Sequence, residues 1–122
     1  MDKELFDYVA ERADILSTAE SSKQETKDAA LAWKEAVAAD AGDATVDEAT
    51  AKFVDYLDGR PRTIDGLIAF LEGPGKELFG EEAAAQGLAA QQKRKEEGAK
   101  FCDCPSCTAA SEILAKFGRV EL

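Results

Sequence analysis

Apolar positions recur along this 122-residue chain at helical spacing, and no segment alternates with the period of two expected of a half-buried strand. The pattern predicts an all-α fold: a single compact bundle of about five or six helices with short connections, with residues 1–122 forming one helical domain. In the first segment, about 2–17, Leu5, Val9, Ala13 and Leu16 share one face while Lys3, Glu4, Glu11 and Arg12 lie elsewhere. The polar run 17–22 interrupts it, and Ser22 with Glu25 has capping-box spacing for a second helix over about 23–39, with Ala30, Trp33 and Val37 inward. After a loop from Asp40 to Asp43, Thr45 is expected to cap a third helix with Glu48 in the reciprocal position, and Val46, Ala49, Phe53 and Leu57 form its stripe.

A turn over 59–62 precedes Thr63, the predicted cap of a short fourth helix carrying Ile64, Leu67, Ile68 and Leu71. This is the most apolar segment, and its expected place is the centre of the bundle. Gly73-Pro74-Gly75 stops it, and Lys76 to Phe79 is read as a single turn pressing Leu78 and Phe79 into the core. From 81 to 97 the chain holds many good helix formers but essentially one bulky apolar side chain, Leu88, with Gly87 in the interior. Glu81 and Glu82 begin that helix and Lys93, Arg94 and Lys95 end it, which complements the helix dipole. A last helix starts at Pro105, where a missing N–H costs nothing, and runs to Phe117 with Ala110, Ile113, Leu114 and Phe117 inward. The expected core is Trp33, Phe53, Ile64, Leu67, Ile68, Leu71, Leu114 and Phe117.

Composition sharpens this picture. About 23 of the 45% apolar residues are alanine, leaving about 32 positions with core-filling volume, which suits closely packed helices. The balance of 25 acidic to 15 basic residues gives a charge of −10, which argues against nucleic acid and against an anionic membrane surface as partners. No stretch approaches the roughly 18 apolar residues of a membrane-crossing helix, and the start lacks a basic region followed by an apolar one, so the expectation is a soluble, cytoplasmic chain. The absence of histidine excludes Ser-His-Asp and Cys-His catalysis and every imidazole metal site. Gly75-Lys76 is not a phosphate loop, because Phe70 replaces the required glycine and Glu77 the required Ser or Thr; the acidic loop from Asp40 to Glu48 lacks the ligand alternation of a calcium loop. Carboxylates are too abundant for any pair to be assigned to acid–base chemistry, and no catalytic residue is assigned.

What remains is Phe101-Cys102-Asp103-Cys104-Pro105-Ser106-Cys107, a C-x-C-P-x-C pattern at the entry to the last helix. An extended segment would send Cys102 and Cys104 to one side, with Cys104 at the N-cap and Cys107 one turn in, so that three sulfurs meet ahead of the helix. Exposed N–H groups and the positive end of the dipole there favour thiolate over thiol. The first reading is a thiophilic metal site at Cys102, Cys104 and Cys107, for zinc or an iron–sulfur cluster. Its fourth ligand is open: Asp103, another carboxylate brought by the fold, a sulfur from a second subunit of a homodimer or from a protein partner, or an exchangeable water or thiol. The second reading is a Cys104-Pro105-Ser106-Cys107 dithiol with Cys104 as nucleophile, although such motifs normally follow a strand in a mixed fold. The third treats the cysteines as structural, small semi-buried hydrophobes in a helical interaction module.

The run from Lys100 to Cys107, the following Ala109-Ala110 and Ile113-Leu114, and the earlier block from Ile64 to Phe70 resemble a group of short, largely uncharacterised bacterial proteins that often carry the label of the ninety-kilodalton heat-shock chaperone. The resemblance runs along most of the chain and implies that the cysteine block is a signature. It implies no chaperone mechanism, since the true chaperone is several times longer and binds ATP in a mixed α/β domain, and no nucleotide motif is present here.

Overall fold

The computed structural model describes residues 1–38 and 41–122, and these are all-α: α1 (Lys3–Thr18), α2 (Gln24–Ala36), α3 (Asp43–Leu57), α4 (Ile64–Glu72), α5 (Pro74–Phe79), α6 (Glu81–Glu96) and α7 (Pro105–Lys116). The expected end of the second helix near residue 39, and Asp40 in the loop after it, lie outside the described residues. No helix among the described residues is long and apolar enough to cross a membrane.

The helices pack as two sets. In the first, α1 packs on α2 and α7, and α3 packs on α2 and α7. Its core holds Val9, Ala13, Leu16, Ala30, Trp33, Phe53, Val54, Leu57, Ala109, Ala110, Ile113 and Leu114, with Phe117 partly buried against it. Trp33 is its centrepiece, with ring centroids 5.5 Å from Phe6 and 6.0 Å from Phe53. The indole N–H donates to Thr50 Oγ1 at 2.9 Å, so the one polar atom of a 3%-exposed tryptophan is satisfied inside the core.

In the second set, α4, α5 and α6 pack on one another. Ile64 and Leu71 are buried, while Leu67 and Ile68 are half-buried. The fourth helix therefore does not occupy the centre of the main core. Its apolar stripe serves a smaller cluster in which Ala84 is buried and Gly87 lies beside Leu71. The stretch expected to be a single turn is a six-residue helix, α5, and its Leu78 and Phe79 are not pressed into a core: they are 70% and 56% exposed, with the Phe79 ring edge-on to Phe70 at 6.2 Å. What α5 buries instead is Gly75, which packs so closely on Phe70 that an added Cβ would stand 2.9 Å from the Phe70 carbonyl oxygen.

The helix starts divide by what the capping side chain can reach. Thr63 caps α4 as expected, accepting from the Gly66 N–H at 3.1 Å. Ser22 does not cap α2; the N-cap is Lys23, without a side-chain bond, because the Ser22 hydroxyl is buried and donates to Ser106 Oγ at 2.9 Å. Thr45 does not cap α3 either. That helix begins three residues earlier, after Gly42 in an extended conformation, and Glu48 pairs with Lys52 at 3.6 Å, one turn on, instead of reaching back. In α6 the acidic start and basic end match the dipole expectation, and Lys95 also pairs with Asp65 of α4 at 2.6 Å.

Thr50→Val removes the acceptor of the buried indole N–H and should cost about 1–3 kcal/mol in urea unfolding, with the cost reduced when Trp33→Phe is added. Equal costs in the two backgrounds would show that the hydrogen bond contributes nothing. Gly87→Ala has room for its Cβ and should stabilise by roughly 0.5–1 kcal/mol, as expected in a helix interior. Gly75→Ala should instead destabilise by about 1–3 kcal/mol through overpacking, and thermal unfolding of the two variants reads the opposite signs directly.

Candidate metal centre

The segment that carries the cysteines enters as extended backbone held by Arg62 and Ile64. The Ile64 N–H donates to the Lys100 carbonyl at 2.9 Å and the Cys102 N–H to the Arg62 carbonyl at 2.8 Å, which flank an antiparallel bridge between Thr63 and Phe101. The chain is still extended at Cys104, with φ −64° and ψ 154°, and turns helical at Pro105. The alternation expected of Cys102 and Cys104 therefore has its backbone basis.

At the start of α7 each of the first backbone positions is accounted for. Pro105 has no N–H to satisfy. The Ser106 N–H donates to Ser21 Oγ at 3.2 Å, and the Ser106 hydroxyl, buried, accepts from Ser22 Oγ. The Cys107 N–H donates to Cys104 Sγ at 3.3 Å, and the Thr108 N–H makes the first helical bond, to the Cys104 carbonyl, at 2.9 Å. Cys104 thus occupies the N-cap, as the sequence predicts, with its sulfur in the place usually taken by a serine or aspartate oxygen. Such a contact favours the thiolate, because an N–H donor and the positive end of the helix dipole both stabilise negative charge on that sulfur.

The consequence is convergence. The Sγ atoms of Cys102, Cys104 and Cys107 all lie within 4.8 Å of one another, and all three residues are half-buried. They are the one group of three or more cysteine or carboxylate ligands found at that spacing among the described residues, so Asp103, though adjacent in sequence, does not join it. Three thiolates at this spacing can hold a soft ion, and their partial burial leaves a route for it to enter.

Sequence reasoning did not anticipate the supports of this site. Ser21 and Ser22 read as loop and cap, yet their hydroxyls hold the first turn of α7. Nothing in the local pattern signals a partner 84 residues away. Arg62 and Thr63 read as turn and cap, and their further pairing with the stretch ahead of Cys102 is likewise a long-range backbone event. No family model, curated protein or solved structure matches the chain.

Proposed function

We propose that this protein binds a single thiophilic metal ion, zinc, through Cys102, Cys104 and Cys107. The observation that carries the reading is the separation of the three sulfurs, all within 4.8 Å of one another. Around one zinc ion with Zn–S bonds of about 2.3 Å, tetrahedral geometry sets neighbouring sulfurs about 3.8 Å apart, so small side-chain rotations close the site. An iron–sulfur cluster spreads its thiolates over several irons and holds them farther apart, so the spacing favours a mononuclear ion over a cluster.

The sequence contains three cysteines and no histidine, so it supplies no further thiolate or imidazole for a fourth position. That position is filled from outside the cluster, by water, by a small thiol, or by a ligand from a second copy or a protein partner. A site with an exchangeable position suits transfer or sensing of the ion better than permanent structural bracing. A reducing, cytoplasmic setting keeps the thiolates available for it. The resemblance to the heat-shock-labelled bacterial proteins rests in part on the same cysteine block and adds no chaperone chemistry.

Metal analysis of anaerobically purified, reduced protein tests this reading. The expected result is close to one equivalent of zinc per chain, lost when all three cysteines are changed to serine; less than about 0.2 equivalents of zinc or iron, with no uptake on titration, contradicts it. A second reading, a redox dithiol at Cys104 and Cys107, draws on the N–H to Sγ contact at the helix start. It predicts that Cys104→Ser abolishes thiol–disulfide exchange with small thiol substrates, and unchanged exchange in that variant excludes it.

A further inference from the structure

The cysteines that would hold the ion also include the pair best placed to form a disulfide, and the two states compete for the same sulfurs. Cys104 at the N-cap and Cys107 at the third helical position are separated by one turn, which sets their Cα atoms about 5–6 Å apart, inside the usual disulfide range. The extended run from Cys102 to Cys104 rises about 3.3 Å per residue, which sets those Cα atoms about 6.6 Å apart, at the far edge of that range. Cys104 Sγ also receives the Cys107 N–H at 3.3 Å, so the two residues already lie against each other across the first turn. All three cysteine residues are half-buried, which leaves a small reagent a path to the cluster.

We propose that the site is redox-controlled: a low-molecular-weight disulfide oxidises Cys104 and Cys107 to a disulfide and thereby releases the metal ion. This rests on the metal-binding reading. The Cys104 thiolate attacks one sulfur of the reagent R′S–SR′, forming a mixed disulfide and expelling one R′S⁻. The Cys107 thiolate then attacks the Cys104 sulfur, forming the Cys104–Cys107 bond and expelling the second R′S⁻. Two protein thiolates are oxidised, one external disulfide is reduced to two thiolates, and no proton is consumed. The ion loses two of its three sulfurs and leaves Cys102 as its sole protein ligand from the cluster.

The start of α7 has anchors that do not depend on these sulfurs. Ser106, between the two reacting cysteines, is held by Ser21 through its N–H and by Ser22 through its hydroxyl. Oxidation therefore changes the ligand set while the helix keeps its place, and reduction restores the site without refolding.

The test uses the full, zinc-loaded chain, titrated anaerobically with glutathione disulfide, with free zinc read by a chromogenic chelator and disulfides mapped by peptide mass. One zinc should appear for each Cys104–Cys107 disulfide, helical circular dichroism should stay constant, and a reductant should restore zinc uptake. Cys107→Ser should stop at a mixed disulfide on Cys104, and Cys102→Ser should still form the Cys104–Cys107 bond. Retention of zinc after complete oxidation, or a bond involving Cys102 in the wild type, overturns redox control while leaving metal binding intact. Failure of the reduced protein to take up zinc at all overturns the metal reading and this proposal with it.

Discussion

Burial of one face of α7 is the constraint on which the candidate site depends. Ala109, Ala110, Ile113 and Leu114 are all at most 4% exposed, and the helix they belong to packs on both α1 and α3. Burying a leucine or isoleucine contributes about 1.5–3 kcal/mol, whereas a cap contributes about 1 kcal/mol. Packing therefore decides where the axis of α7 runs, and capping decides where along that axis the helix begins. Because Pro105 can only sit at the first turn, the residue before it becomes the cap, and that residue is a cysteine. The two alanines let neighbouring helices come close, and the two larger residues fill the space that remains.

From that start the geometry of the sulfurs follows with little freedom. The N-cap conformation directs Cys104 Sγ toward the N–H of Cys107, which brings the second sulfur over the same helix end. Cys102 arrives from an extended segment whose backbone is already bonded to Arg62 and Ile64. Each cysteine is thus placed by a different device, namely a sheet-like pairing, a cap and a helical turn. None of the three requires a bound ion to exist, so the site is preorganised, and binding need not meet the full entropy of gathering three side chains.

How much of this was legible in the sequence depends on the range of the interaction. The all-α fold, the stripes Val9-Ala13-Leu16 and Ile113-Leu114, the Thr63 cap and the Pro105 start are all written within single helical turns, where spacing alone decides the outcome. Ser22 and Thr45 fit the capping pattern equally well but lost to competitors: a buried hydroxyl partner on α7 for one, an earlier helix start for the other. The fourth helix was misplaced because apolar density shows that a segment will be buried and not which neighbour buries it. Its partners proved to be α5 and α6, the latter lined by alanine and glycine. Hydrophobicity alone places Leu78 and Phe79 inward, whereas α5 buries only Gly75 against Phe70 and sets Phe79 edge-on to that same ring, with most of its surface exposed. For the candidate site, the cysteine cluster is legible because its spacing is local, and the seryl clamp is not, because it joins residues about 85 apart.

Zinc-edge X-ray absorption on the reduced, loaded protein reads the coordination shell itself. Three sulfur neighbours at about 2.3 Å, completed by one lighter or exogenous ligand and without a metal–metal distance, is the result that this account predicts. A shell made only of oxygen or nitrogen, or a short metal–metal vector of the kind found in clusters, would contradict it.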